Sequence, residues 1–230
     1  KKRKHHQIQF IIFHYTGMKK ESGAIDRLTN YKSKVSSHYF IKNNGEILKI
    51  VPDLYIAWHA GISSWQKYKS INKYSIGIEI SNPGHDNKYK KFSKKQIKSI
   101  LKLSKFLIKK YKIKSNFILG HSDIALDRKK DPGEKFPWKY LSKNKIGFWH
   151  DLNQNYIVKK RNIKVDKEDK FKFIQNLIKI GYSKNYNISE TKYTKLITKA
   201  FQRRFRQELI NGVIDLECLL ISKNLIKKFK

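Results

Sequence analysis

The chain is organised around one stretch, residues 120–133, which reads Gly-His-Ser-Asp-Ile-Ala-Leu-Asp-Arg-Lys-Lys-Asp-Pro-Gly. It places His121 and Asp131 ten residues apart, with a lysine two positions before the aspartate. Zinc binds imidazole nitrogen and carboxylate oxygen, and a catalytic zinc site needs three protein ligands. The best third candidate is His14, which ends an apolar run. Spacing alone leaves a second interpretation open, in which His121 caps a loop and Asp131 makes the turn before Pro132.

Two apolar runs predict strands that end at the candidate ligands. Residues 8–14 read Ile-Gln-Phe-Ile-Ile-Phe-His, a composition typical of a strand buried on both faces. His14 therefore stands at a strand end, where open α/β sheets carry their sites. Its alternative role is a core histidine bonded to a backbone carbonyl. Residues 117–119 predict a short strand that ends just before His121.

Residues 74–80, Tyr-Ser-Ile-Gly-Ile-Glu-Ile, alternate in polarity and predict another strand. Gly77 and Glu79 share its second face, and we expect Gly77 to leave the space into which Glu79 projects. The default alternative for such a glutamate is a solvated surface position. Residues 38–41 and 47–51 predict a β-hairpin, because the intervening Asn-Gly pair favours a tight turn.

Helical spacing of apolar residues predicts one helix over residues 22–33 and a longer one over 93–111. In the longer helix, Ser93 and Gln96 fit a capping box. Together with the strands, these helices predict an α/β fold with a central mixed β-sheet flanked by helices. Three more apolar stripes within residues 171–230 predict a small all-α, three-helix C-terminal domain.

The composition excludes several classes of protein. Of the 230 residues, 39% are hydrophobic and 13% aromatic, which suffices for a packed core despite a net charge of +34. No apolar run reaches the roughly 18 residues that a membrane span needs. The lysines are spread along the whole chain, so we expect no nucleic-acid partner. The single cysteine, Cys218, lies in an apolar helical run and predicts a core residue.

Five motifs occur in one order between about Ile8 and Leu141. They are His14-Tyr15-Thr16, Ser37-His38-Tyr39, Ala57-Trp58-His59-Ala60-Gly61, Ser75-Ile76-Gly77-Ile78-Glu79, and residues 120–133. Each motif alone is a weak signal, but the five in order are specific. This part of the chain resembles the zinc-dependent N-acetylmuramoyl-L-alanine amidases, a family that includes the peptidoglycan recognition proteins.

The resemblance implies a Zn²⁺ ion held by His14, His121 and Asp131. It also implies that Glu79 moves protons and that Lys129 stabilises an oxyanion. The implied reaction is hydrolysis of the amide bond between the lactyl group of N-acetylmuramic acid and L-alanine, in peptidoglycan or muropeptides. We further expect substrate contacts from five residues, which are Tyr15, Trp58, His59, Ala60 and Asn82.

Residues 200–205 and 211–215 resemble a small helical peptidoglycan-binding module, although Arg204 stands where that module often has histidine. The predicted organisation is a catalytic domain over 1–145, a connection over 146–170 and a helical module over 171–230. In the alternative organisation, these helices bury the back of the sheet and are needed for folding.

The expected location is the bacterial cell envelope, either periplasmic or membrane-anchored, with the cytoplasm as the alternative. The N-terminal six residues are basic and lack the apolar core of a secretory signal, so any signal lies outside this sequence. Two other functions compete with the amidase. A non-catalytic recognition protein would lack a metal ligand, and a basic nucleic-acid-binding protein would bind no zinc. The oligomeric state is left open.

Overall fold

The computed structural model describes residues 1–184 and 187–228. Its centre is a mixed five-stranded sheet in the order β3-β2-β6-β1-β7, in which only the β2–β3 pair is antiparallel. The five strands are β1 (Phe10–Tyr15), β2 (Tyr39–Ile41), β3 (Ile47–Lys49), β6 (Ser75–Ile80) and β7 (Ile118–Gly120). The predicted central mixed sheet with flanking helices is confirmed.

Parallel pairing brings the candidate residues to one edge of the sheet. β1 lies between β6 and β7, and its residues from Phe10 to His14 are all buried, as its continuous apolar run predicts. His14 lies opposite Glu79 in the register with β6. β7 ends at Gly120, immediately before His121. Because the carboxyl ends of parallel strands lie at the same edge of a sheet, the side chains of His14, Glu79 and His121 meet there.

Two helices from the first half of the chain flank the sheet. They are α1 (Glu21–Thr29) and α2 (Lys94–Tyr111). Ser93 caps α2 through its side chain, and Gln96 completes the capping box by bonding back to the backbone of Ser93. The predicted helix 93–111 is thus confirmed, whereas the predicted helix 22–33 ends four residues earlier and is followed by a short 3-10 turn.

The predicted hairpin is also confirmed, with β2 and β3 paired antiparallel and Gly45 at a φ of 88° in the turn. Residues 57–69 follow as a loop. This loop contains a two-stranded sheet of β4 (Ser64–Trp65) and β5 (Tyr68–Lys69). Trp65 is completely buried in it, which anchors the loop to the core.

The described residues after β7 form six helices joined by loops. The helices are α3 (His121–Ile124), α4 (Trp138–Lys143), α5 (Gln154–Val158), α6 (Lys167–Ile180), α7 (Glu190–Phe205) and α8 (Leu216–Lys227). The last three are the helices that the apolar stripes predict. None of the helices in the described ranges combines the length and the apolar character that crossing a bilayer requires.

One apolar cluster runs through both halves of the chain. It joins sheet residues such as Phe13 to α6–α8 residues such as Phe201 and Leu219. Residues 146–170, expected to be a polar connection, contribute the buried Ile146 and Ile157 to the same cluster. The division at residues 145 and 170 stays a prediction. The shared core favours the alternative in which the C-terminal helices pack against the sheet as part of one fold.

A buried carboxylate ties the N-terminal segment, β2 and α2 together. Asp53 accepts hydrogen bonds from the hydroxyls of Tyr39 and Tyr111, each at 2.7 Å, and from the Nζ of Lys110 at 2.9 Å. Its backbone carbonyl accepts from the guanidinium of Arg3. Burial acts to raise the pKa of Asp53, but these donors outweigh it and hold that pKa well below its usual range.

We expect Asp53→Asn to lower the free energy of unfolding by about 2 kcal/mol, since the charged acceptor of three donors is lost. Because the folded-state pKa is depressed, this stabilisation is complete above about pH 4 and disappears as the pH falls further. Chemical denaturation at pH 7 and at pH 3 measures both effects. Asp26→Asn, at an exposed position on α1, is the matched control. Equal midpoints for the two variants at pH 7 would contradict the assignment.

Candidate metal and catalytic site

Three buried side chains converge at the sheet edge. His14 Nδ1 lies 3.0 Å from His121 Nδ1 and 2.9 Å from Asp131 Oδ2, and His121 Nδ1 lies 3.1 Å from the same oxygen. They come from the end of β1, the start of α3 and the loop after it. That loop is held against the turn because the Ser122 N–H donates to the Asp131 carbonyl at 2.8 Å. The three residues form a group that could hold a metal ion.

A chain of hydrogen bonds sets the protonation of His14. The Ser75 hydroxyl donates to the Ile71 carbonyl at 2.8 Å, since a carbonyl can only accept. His59 Nε2, at 3.0 Å, must then donate to the Ser75 oxygen. His59 Nδ1 is left as an acceptor for His14 Nε2–H, also at 3.0 Å. His14 Nδ1 therefore presents a lone pair to the cluster.

His121 is oriented in the same sense. Its Nε2 lies 3.1 Å from the carbonyl oxygen of Ala60, so it carries the proton and donates it there. Its Nδ1 faces His14 and Asp131 with a lone pair. Two imidazole lone pairs and one carboxylate oxygen thus point at one another, an arrangement that a cation between them would stabilise.

Burial favours the neutral form of the His14 and His59 imidazoles. Burial, and next the neighbouring His121, lower the pKa of His14 to about 4. Burial likewise lowers the pKa of His59 well below its usual value. Neutral imidazole and ionised carboxylate are the protonation states in which these side chains bind metal.

Gly77 serves His59 rather than Glu79. A Cβ at Gly77 would lie 2.4 Å from the Cγ of His59, so the imidazole ring occupies the space above this glycine. The expectation that Gly77 opens space for Glu79 is wrong for this reason. The close approach of strand β6 and the ring requires a residue without a side chain.

Glu79 instead reaches the cluster through strand register. It lies opposite His14, lines the same pocket, and its Oε2 is buried with no hydrogen-bond partner. Burial, together with the nearby Asp131 carboxylate, raises the pKa of Glu79 well above its usual value, whereas Lys129 acts in the opposite direction. A carboxyl group with a raised pKa accepts a proton more readily than an ordinary glutamate does, which suits a general base.

The pocket around this edge has a volume of about 520 Å³. It is lined by the cluster and by Glu79, Lys129, Tyr15, Trp58 and His59. Trp58 is 56% exposed and stands at its rim. Four further charged residues line it. Arg128 and Lys130 flank Lys129 within residues 120–133, whereas Arg27 and Asp86 lie outside every motif quoted from the sequence. Only the folding of distant segments brings Arg27 and Asp86 there, so no local motif could have identified these two residues.

Two of the residues expected to contact substrate lie outside this lining. Asn82 is buried, its amide donates to the Lys90 carbonyl at 2.8 Å, and its Oδ1 accepts from the Gly84 N–H. Ala60 is buried and uses its carbonyl as the acceptor for His121 and Arg128. Both hold the walls of the pocket in place, and their contact with substrate stays a prediction.

Comparison with known proteins agrees with this geometry. The family model described as N-acetylmuramoyl-L-alanine amidase matches residues 4–134. The N-acetylmuramoyl-L-alanine amidase AmiD of Escherichia coli is 33% identical over 235 residues, covering 97% of this chain and 84% of AmiD. The 1,6-anhydro-N-acetylmuramyl-L-alanine amidase AmpD of Haemophilus influenzae is 39% identical over 114 residues, covering 49% of this chain and 60% of AmpD.

Two solved structures share the fold over almost the whole chain. The complex of E. coli AmiD with the substrate anhydro-N-acetylmuramic acid-L-Ala-D-gamma-Glu-L-Lys superposes with a TM-score of 0.86, covering 97% of this chain and 90% of that one at 33% identity. AmpDh3 of Pseudomonas aeruginosa in complex with anhydromuramic pentapeptide superposes with a TM-score of 0.85, covering 97% and 92% at 28% identity. With the matched motifs and the buried cluster, these findings establish that the chain belongs to the N-acetylmuramoyl-L-alanine amidase family.

Proposed function

We propose that this chain is a zinc-dependent amidase that hydrolyses the bond between N-acetylmuramic acid and L-alanine in peptidoglycan or its fragments. The observation that carries the proposal is the convergence of three ligand atoms beside the unpartnered oxygen of Glu79. A tetrahedral zinc separates its ligand atoms by roughly 3.3 Å. The spacings of 2.9 to 3.1 Å among His14, His121 and Asp131 lie close to that value.

In this mechanism, zinc when bound lowers the pKa of water to about 7 and polarises the substrate carbonyl. Glu79 takes the proton of the attacking water and later gives it to the leaving amine, because its raised pKa suits a group that must do both. Lys129, which lines the pocket, donates to the developing oxyanion. His59 and Ala60 hold the two histidine ligands in their metal-binding tautomers.

Substrate specificity is part of the proposal. AmiD and AmpDh3 are described with anhydromuropeptides bound. We propose that muropeptides bind in the pocket of this chain, with Trp58 and Tyr15 against the sugar or stem peptide. The proposed location is the cell envelope, where polymeric peptidoglycan is accessible. All three ligand positions carry a residue that can bind zinc, and this favours an enzyme over a non-catalytic recognition protein.

We expect one zinc per chain in the unaltered protein, and substoichiometric zinc with no amidase activity in His121→Ala. The physical reason is that a site with two protein ligands binds zinc far more weakly than a site with three. Elemental analysis after gel filtration measures the zinc content. His6→Ala, an exposed histidine near the N-terminus, is the control and should keep both zinc and activity. Full zinc occupancy in His121→Ala would refute this ligand set.

Glu79→Gln should retain zinc and lower kcat by roughly 100- to 10,000-fold, because the amide cannot accept the proton of water. Release of stem peptide from a soluble muropeptide measures the rate. Glu46→Gln, an exposed glutamate before β3, serves as the matched control. A Glu79→Gln variant with unchanged kcat would show that Glu79 has a structural role only.

We also propose that residues 171–230 increase contact with polymeric peptidoglycan. A groove of about 860 Å³ lies between α6 and α7, and Phe171 on its wall is 62% exposed. An exposed aromatic side chain in a groove is suited to stacking against sugar rings and peptide.

Phe171→Ala should therefore reduce sedimentation with insoluble sacculi, while zinc content and cleavage of a small muropeptide stay unchanged. Phe106→Ala, which removes a 54% exposed phenylalanine from α2, is the matched control. If both variants sediment as the unaltered protein does, this groove has no part in wall binding.

A further inference from the structure

The turn that carries His121 depends on a carboxylate that is not a candidate ligand. Asp123 is 1% exposed, and its Oδ2 accepts the backbone N–H of Gly120 at 2.8 Å. Gly120 ends β7 and His121 begins α3. This hydrogen bond therefore fixes the backbone between β7 and α3 at the residue immediately before His121. The fixed backbone sets the direction in which the His121 ring projects.

Two further partners of Asp123 come from the C-terminal part of the chain. Arg204, at the end of α7, donates from Nη1 to Asp123 Oδ2 at 2.5 Å and from Nη2 to the Ile118 carbonyl in β7 at 3.0 Å. The hydroxyl of Tyr182, between α6 and α7, donates to Asp123 Oδ1 at 2.9 Å. Arg204 thus binds the strand before the turn and the carboxylate inside the turn with a single guanidinium group.

Aromatic rings hold that guanidinium in one orientation. It lies 4.1 Å from the ring centroid of Trp138 and 4.4 Å from that of Phe148, and Arg204 is 1% exposed. A planar cation packed against aromatic faces and bonded through both terminal nitrogens has little freedom to rotate. Arg204, which lies in the stretch that resembles a peptidoglycan-binding module, therefore faces the catalytic half of the molecule.

We infer that Arg204 and Tyr182 are positioning residues of the metal site, which act through Asp123 to hold His121 in its ligand geometry. The inference rests on the zinc site proposed above. Partners that orient metal ligands from behind typically change metal affinity by about 10- to 100-fold when they are removed. The C-terminal helices are by this reasoning part of the metal site's support, in addition to any contact they make with the cell wall.

The inference is tested by measuring the zinc affinity of the 230-residue chain in competition with a chelator of known affinity. Arg204→Met should bind zinc about 10- to 100-fold more weakly than the unaltered protein. Arg204→Lys keeps the charge without the forked pair of donors, so its affinity should fall between the two. Tyr182→Phe removes one donor at nearly constant volume and should also weaken zinc binding.

Arg206→Met is the matched control for lost stability. Arg206 is also buried at the end of α7, where it pairs with Asp215 and donates to the Leu209 carbonyl and to Asn211. None of these partners belongs to the turn that carries His121. Arg206→Met should therefore lose thermal stability as Arg204→Met does, yet bind zinc as tightly as the unaltered protein.

The inference is overturned if Arg204→Met and Tyr182→Phe both bind zinc as tightly as Arg206→Met. If Arg204→Met does not fold, the same comparison is made with Tyr182→Phe and Arg204→Lys. The inference is then overturned if both bind zinc as tightly as Arg206→Met. A failure of the zinc site itself is recognised separately, because the unaltered protein would then bind no zinc.

Discussion

The carbonyl oxygen of Ile71 can only accept a hydrogen bond, and the metal-binding form of His14 follows from that constraint. Ser75 donates to the carbonyl, His59 donates to Ser75, and His14 donates to His59. Each donation removes the alternative tautomer of the next group along the chain. The lone pair of His14 Nδ1 is directed at Asp131 as the result.

This arrangement carries an energetic cost in the folded protein. Neutral imidazoles and a carboxylate are buried where bulk water cannot solvate them, and Glu79 keeps an oxygen without a partner. Buried groups of this kind destabilise a fold unless hydrogen bonds or a cation compensate them. Functional sites commonly retain such strain while well-satisfied networks elsewhere, such as the donors around Asp53, stabilise the scaffold.

The C-terminal helices are connected to this site by polar contacts as well as by apolar packing. Gly181 lies against the buried indole of Trp65, so the helical half also supports the loop that carries Trp58 and His59. Arg204 reaches β7 and the start of α3. One contiguous apolar core and the buried ion pair Arg204–Asp123 connect the two halves. A change of composition along the sequence therefore does not by itself mark two parts that fold independently.

The sequence by itself determined the sheet, its main helices and the identity of the cluster, because these depend on local patterns. A continuous apolar run indicates β1, the Ser93–Gln96 pair indicates the start of α2, and the ordered motifs point to His14, His121 and Asp131. Only the tertiary structure decided which side chains contact and orient those three residues. His59 bonds to His14 from the side away from the ligand cluster, and Gly77 leaves room for the His59 ring. Arg204 bonds to Asp123, which precedes it by 81 residues in the sequence. These contacts join segments that are distant in sequence, and no local spacing encodes the direction in which a side chain meets a distant partner.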